Sequence, residues 1–171
     1  MNKNFLYIYT IFLNIIFGEV QDTTFNKYDE VNGVFESYIA VVDEKNITKM
    51  SKYFQTDWCT LHFGSGIPTV ITNEEEFNIV FNNWKNSSKA NFAKTRLDKI
   101  EIAPVWDHID TKLCTVDATY SRLNEKGEVL GKGRALYHFV RHKYSGLYRF
   151  IKKWKKWQIY MITDLDIDSM D

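Results

Sequence analysis

Apolar residues recur at helical spacing between positions 29 and 54. They fall every three or four residues, which is the period of one helix face. The pattern pauses at Asp43-Glu44-Lys45-Asn46 and then resumes, so it predicts a long helix, a tight turn with Asn46 as N-cap, and a second, short helix. The apolar positions are Val31, Val34, Phe35, Tyr38, Ile39, Val42, Ile47, Met50, Tyr53 and Phe54.

Two short strands and a third helix are predicted next. Residues 58–63 and 69–71 are short apolar runs separated by a Gly-Ser-Gly segment. Asn73 is a good N-cap, and the three glutamates that follow it favour the positive end of a helix dipole. The predicted buried stripe of this helix is Phe77, Val80, Phe81 and Trp84.

From Asn91 onward the pattern is that of strands. The predicted strands are residues 92–102, the two arms of a long hairpin from Thr111 to His142, and Trp157 to Leu165. The hairpin turns at residues 124–127, and glycines 131 and 133 in its second arm indicate a bulge or bend. The predicted order is therefore helix, short helix, two short strands, helix and four long strands.

The N-terminal residues have the pattern of a secretory signal. One lysine precedes an apolar run over residues 5–17, and a glycine follows before the polar part begins. We therefore expect residues 1–18 to be a signal peptide, residues 19–30 a polar lead-in and the protein to be secreted; a retained apolar helix on a cytoplasmic protein is the alternative. Sequons at Asn46 and Asn86 would then be glycosylation acceptors.

Composition and charge restrict the class of protein. With 171 residues, 44% of them apolar and 16% aromatic, the chain is expected to form one compact domain with an aromatic core. Its net charge is zero, so we expect no nucleic-acid partner. Cys59 and Cys114 have neither metal-site nor redox spacing, and we predict two buried apolar residues, with a disulfide as the alternative in a secreted chain.

The element order resembles a known superfamily. Together with SYIAVVDEKNITKMSKYF leading into WCTLHFG, and ATYSRLNEKGEVLGKGRALYHFV leading into WQIYMITDLDID, it is similar to the SnoaL-like and ketosteroid-isomerase-like branch of the nuclear-transport-factor-like superfamily. The resemblance implies an α+β fold over residues 31–168, in which a strongly bent antiparallel sheet of four long and two short strands forms a cone. The sheet would wrap around the long N-terminal helix, with two further helices, a pocket inside the cone and a homodimer through the sheet face.

The register of the long hairpin determines which polar residues share a face. A two- or four-residue loop places Thr115, Asp117 and Thr119 with Arg134 and His138, whereas a three-residue loop places Cys114, Val116 and Tyr120 there. A further bulge would exchange the sets again. The candidate catalytic residues are His62, Asp117 and His138, and the candidate ligand-binding residues are Tyr38, Tyr53, Trp58, Trp84, Tyr120 and Arg134.

These residues lead to a ranked set of functions. We expect a small apolar molecule to bind in the cone; the alternatives are an acid–base enzyme of isomerase, dehydratase or cyclase type and a non-catalytic dimerisation module. The four histidines show no paired spacing, so neither a metal nor a cofactor is expected. The stretch Lys143 to Lys156 mixes basic and aromatic residues and would suit a membrane surface, but a solvated hairpin tip is the simpler interpretation.

Overall fold

The computed structural model describes residues 24–63, 66–145 and 152–165. The chain divides into two compact units, Met1–Glu30 and Val31–Asp171, and the second contains the sheet. The predicted signal peptide, residues 1–18, lies outside the described residues. No helix in the described ranges is long and apolar enough to cross a membrane.

Three α-helices in the described part of the chain form where the apolar periodicity predicts them. They are α1 (Thr24–Asp43), α2 (Ile47–Met50) and α3 (Glu74–Lys85), and short 3-10 turns follow at Ser51–Tyr53 and Ser88–Ala90. Asn46 and Asn73 cap α2 and α3, since their side chains accept hydrogen bonds from the backbone N–H groups of Lys49 and Glu76. Helix α1 begins inside the predicted lead-in, so residues 24–30 are helical.

The strands that the structure describes follow the predicted order with one addition. They are β1 (Cys59–His62), β2 (Thr69–Ile71), β3 (Lys94–Asp107), β4 (Thr111–Leu123), β5 (Val129–Ser145), β6 (Lys152–Trp154) and β7 (Gln158–Leu165). The sheet order is β2-β1-β7-β5-β4-β3, and β6 pairs with the end of β5. The pairs are antiparallel, as predicted, except β1 with β7, which is parallel and makes the sheet mixed.

The inner face of the sheet packs against α1 through aromatic rings. Phe35 lies 4.8 Å from Tyr137 and 6.5 Å from Phe139 between ring centroids. Phe54 contacts α3 through Phe77, at 5.0 Å. Rings at these distances fill the space between helix and strands, and burial of such large side chains stabilises the fold by about 1.5–3 kcal/mol each.

The long hairpin combines a three-residue loop with a bulge. The backbone N–H of Asn124 donates to the oxygen of Glu128, and Gly127 has a φ of 81°, so residues 125–127 form the loop. Beyond it the register shifts, because Leu123 pairs with Val129 while Arg122 pairs with Gly131, which leaves Leu130 as an extra residue. The bulge shifts the register of β5 against β4 by one residue, so the β5 side chains that the loop alone would place on one face of the sheet lie on the other. As a result, Asp117 shares a face with His138 and Arg134.

Candidate functional site

The inner face carries a cluster of phenol groups and one arginine at the end of the cone where α1 finishes. Tyr38 of α1 and Tyr137 of β5 are buried, with ring centroids 5.9 Å apart. Register places Tyr120 and Arg122 of β4 on the same inner face, opposite Gly133 and Gly131. The sheet therefore brings polar groups from three elements together over one small area.

Burial changes the acidity of the two buried phenols. Desolvation raises the pKa of Tyr38, and the nearby Arg122 charge partly opposes this. The pKa of Tyr137 is also raised, first by desolvation, while Arg122 lowers it and the Asp164 carboxylate raises it. Both phenols stay protonated at neutral pH, so each is a hydrogen-bond donor rather than a base.

Arg122 is held by contacts on both sides. Its guanidinium carbon lies 4.0 Å from the ring centroid of Phe92 and 4.7 Å from that of Tyr120. It donates to the hydroxyl of Thr95, and its Nη1 lies 4.0 Å from a carboxylate oxygen of Asp43. These contacts orient a positive charge along the inner face with little freedom of movement.

Thr95 connects α1 to the sheet beside this arginine. Its backbone N–H and its hydroxyl donate to the two carboxylate oxygens of Asp43, at 3.0 and 2.5 Å. Lys45 closes the same corner, because its ammonium donates to the oxygen of Phe92 at 2.7 Å and lies 4.6 Å from the ring centroid. The end of α1 is thus fixed to the start of β3.

The inner face is only partly covered next to this corner. Tyr120, Arg122 and Gly133 are half-buried, as are Leu97 of β3 and Asp164 of β7. Asp164 lies opposite Ala135, which places it on the inner face as well. A half-buried surface with an arginine, a carboxylate and phenols differs from the fully apolar packing around Phe35.

Three of the predicted site residues lie on the opposite face of the sheet. Arg134 donates two hydrogen bonds to Asp117, at 2.9 and 2.6 Å, and this pairing holds the pKa of the Asp117 carboxyl below its usual range. The Nδ1 of His138 lies 3.1 Å from the hydroxyl of Thr115. They share a face, but it is the outer face of the sheet, and their catalytic and ligand-binding roles stay predictions.

His62 and Trp58 also lie outside the cone. His62 pairs with Thr163, whereas its neighbour Leu61 pairs with Ile162 on the inner face, so the histidine side chain belongs to the outer face. Trp58 is 58% exposed and stacks on Tyr160, with centroids 6.5 Å apart. The expectation that Trp58 lines the pocket is wrong because it precedes the buried part of β1.

The remaining predicted aromatic residues do lie inside. Tyr53 packs on Tyr38 with centroids 5.9 Å apart, and Trp84 lies 6.4 Å from Phe92. Tyr120 belongs to the inner face, as the register shows. Their predicted role in ligand binding stays a prediction.

Sequence reasoning missed four inner-face residues: Arg122, Tyr137, Asp164 and Thr95. Their neighbours along the strands are polar at least as often as apolar, so sequence alternation did not show which face they occupy. No polar spacing in the sequence alone connects β4 with β7. Only the paired register brings these side chains together.

A cleft lies outside the cone. It has a volume of about 410 Å³ and lies between the α1–α2 turn and α3, lined by Glu44, Lys45, Asn46, Ile47, Thr48, Asn78, Asn82 and Lys85.

The described residues hold neither a metal-binding cluster nor a disulfide. Among them no group of three or more acidic, His or Cys side chains is arranged to hold a metal ion. Cys59 and Cys114 are both buried and free, as predicted first, and the disulfide alternative is wrong.

Solved structures share this fold at low sequence identity. Aln2 from a Streptomyces species has a TM-score of 0.59 at 14% identity, with 85% of this chain and 93% of that chain covered. A putative scytalone dehydratase from Novosphingobium aromaticivorans has a TM-score of 0.53 at 11% identity (86% and 93% covered). An NTF2-like superfamily protein from Salmonella enterica has a TM-score of 0.53 at 13% identity (83% and 92% covered).

These likenesses show which fold the chain has. The chain has the α+β cone fold of the nuclear-transport-factor-like superfamily, as the sequence resemblance implied. No protein-family model and no curated protein matches the sequence. At such identities the comparisons establish the fold and leave the activity open.

Proposed function

We propose that the domain binds a small planar molecule on the half-buried inner face of the cone, with its apolar body beside Tyr120 and Leu97 and one acidic oxygen directed to Arg122. The observation that supports this is the stacking of the Arg122 guanidinium on Phe92 and Tyr120 beside the buried phenols of Tyr38 and Tyr137. This refines the expectation of a purely apolar ligand, because the inner face carries charge.

The cost of burying polar groups supports a binding role. A buried phenol must keep a hydrogen-bond partner or lose about 1–3 kcal/mol, whereas phenylalanine would fill the same space without that requirement. Tyr38 and Tyr137 are both buried next to an arginine, and the pKa values of both phenols are raised. Protonated phenols and a guanidinium all donate hydrogen bonds, so together they suit an oxygen anion.

Matched probes test the proposed preference for an acidic oxygen. Titration of the protein with 2-naphthoate and with 2-methylnaphthalene, followed by NMR line shifts, compares two ligands that share the naphthalene ring and differ in the carboxylate. We expect the carboxylate to bind at least about tenfold more tightly, equivalent to about 1.4 kcal/mol. Equal affinity for the two probes, or no binding of either, would contradict the proposal.

Substitutions locate the site. Arg122→Gln is expected to remove the preference for 2-naphthoate, and Tyr120→Leu to weaken both probes. Arg134→Gln is the control, because Arg134 is bonded to Asp117 on the outer face. Since Arg122 also supports the fold, Tyr38→Phe provides a second variant that removes a donor without changing the shape.

An acid–base enzyme remains the alternative for the same residues. Asp164 would be the base on the inner face, and the phenols would stabilise an enolate oxygen. Exchange of the α protons of 2-tetralone in deuterium oxide, followed by proton NMR, tests it. Exchange that depends on Asp164 in an Asp164→Asn comparison would identify an enzyme, and binding without exchange would favour a binding protein.

The outer face supports a second candidate function, self-association. Trp58 is 58% exposed and stacks on Tyr160, whose ring lies 6.0 Å from that of His138. Leu136 and Met161 are also half-buried on this face. A second copy would cover this surface, since the same patch on both chains makes a closed symmetric interface.

Light scattering after size exclusion tests the self-association. A dimer is expected for the unmodified chain and a monomer for Leu136→Arg. Ile79→Arg on α3 is the control, because Ile79 is an exposed apolar residue that lies on a helix away from the sheet face. A monomeric unmodified chain, or a dimer that survives Leu136→Arg, would rule out this face as the interface.

A further inference from the structure

The end of β3 and its connection to β4 expose three large apolar side chains. Val105 is 57% exposed, Trp106 56% and Ile109 66%. Trp106 lies alongside His108, with ring centroids 6.2 Å apart and planes inclined by 23°. We call Val105, Trp106 and Ile109 the apolar tip. Large apolar side chains clustered in so short a segment are typical of a surface that meets an apolar partner.

A basic ribbon begins next to the apolar tip; it consists of the end of β5 from Lys143, strand β6 (Lys152–Trp154) and the following Lys155 and Lys156. Strand β5 extends past the main sheet and pairs with β6, Lys143 with Trp154. The backbone N–H of Lys143 donates to the oxygen of Asp110 at 2.9 Å, and that of Lys155 donates to the oxygen of His142 at 2.8 Å. The base of the ribbon is therefore hydrogen-bonded to the turn that carries Ile109.

The part of the sequence that contains this ribbon has positive residues and no negative ones. Residues 129–163 contain nine lysines and arginines and no aspartate or glutamate, although the net charge of the whole chain is zero. Lys155 and Lys156 are exposed at the base of the ribbon. Two acids lie on the tip side: Asp107, which is 3.3 Å from the ammonium of Lys112, and Asp110, whose backbone oxygen accepts from Lys143. Lys155 and Lys156 therefore place two exposed positive charges at the base of the ribbon.

We propose that the apolar tip and the exposed lysines at the base of the ribbon dock together on an anionic membrane surface. Tryptophan and aliphatic side chains enter the boundary between headgroups and acyl chains, and neighbouring lysines attract acidic lipids by about 1 kcal/mol each. A nucleic acid would also attract the lysines, but phosphates offer nothing to Val105 and Ile109. The apolar tip therefore favours a lipid surface.

Vesicle sedimentation of the full chain tests this docking. Vesicles of phosphatidylcholine with about 30% phosphatidylserine are compared with phosphatidylcholine alone, and about tenfold tighter binding to the acidic vesicles is expected. Trp106→Ser and the double variant Lys155→Gln/Lys156→Gln are each expected to weaken binding about fivefold or more. Binding should fall steeply at high salt, because the attraction between lysines and lipid is screened.

Matched controls separate this surface from other routes to the membrane. Ile79→Ser removes an equally exposed apolar side chain from α3, and Lys89→Gln/Lys126→Gln removes two exposed lysines elsewhere. Both are expected to bind as the unmodified chain does. The proposal is overturned if all variants bind alike, which would indicate attachment through another segment such as the apolar N-terminus. It is also overturned if single-stranded DNA is bound and only the lysine variant loses it.

Discussion

The ring of Tyr120 lies directly over Gly133 on the neighbouring strand. A Cβ atom at position 133 would come within 2.5 Å of Cζ and 2.6 Å of the hydroxyl oxygen of Tyr120. Glycine is therefore required here by the space above it. It allows Tyr120 to lie flat on the inner face, where the Arg122 guanidinium packs 4.7 Å from its ring centroid.

Gly133→Ala should destabilise the fold and displace Tyr120. We expect a loss of about 1–3 kcal/mol in the free energy of unfolding, since overpacking forces a ring or the backbone to shift. Gly131→Ala is the matched control, because nothing lies within 4 Å of a Cβ there. Urea denaturation of both variants measures the difference. Equal stability of the two would show that Tyr120 does not occupy this position.

Thr95→Val should loosen the end of α1 from the sheet. The substitution keeps the side-chain shape but removes the hydroxyl that donates to Asp43 at 2.5 Å and accepts from Arg122. Hydrogen bonds to charged groups contribute about 1.5–3 kcal/mol, and we expect a loss of that size. Thr119→Val on the outer face is the control in the same denaturation experiment and should change stability by less than about 0.5 kcal/mol.

His138 should make stability depend on pH in the mildly acidic range. Burial lowers the pKa of its imidazole below the ordinary value of 6.5, so the unfolded chain binds a proton at higher pH than the folded one. Stability is then complete above pH 6.5 and falls as the pH is lowered through the folded pKa. His138→Gln should flatten this part of the stability profile, measured by denaturation between about pH 7 and pH 5. A profile that keeps its slope in the variant would contradict the assignment.

The two thiols should be inert in the folded protein. Burial raises the pKa of Cys59 to about 12 and that of Cys114 to about 11, so almost no thiolate forms near neutral pH. Iodoacetamide is expected to modify neither cysteine in the native state and both after unfolding, as mass spectrometry would show. An engineered cysteine at the exposed Ser37 serves as the reactive control. Modification of Cys59 in the native state would show that the inner face is open to reagents.

Residue pattern alone predicted the elements because each depends on local physics. The period of the apolar side chains fixed α1 and α3, and the side chains of Asn46 and Asn73 cap helices as predicted. The turn at residues 124–127 was predicted because glycine readily adopts a positive φ, and Gly127 does so here. Element order was enough to indicate the superfamily fold, since these signals act over a few residues.

The candidate site depended on tertiary structure. Because Leu130 bulges out of β5, Tyr120 and Arg122 of β4 share a face with Tyr137 of β5. The same bulge places Asp117 and His138 together on the other face. The sequence alone determined which residues lie on which strands. The register of the sheet decided which of their side chains meet, because two strands present side chains to the same face only once they are paired.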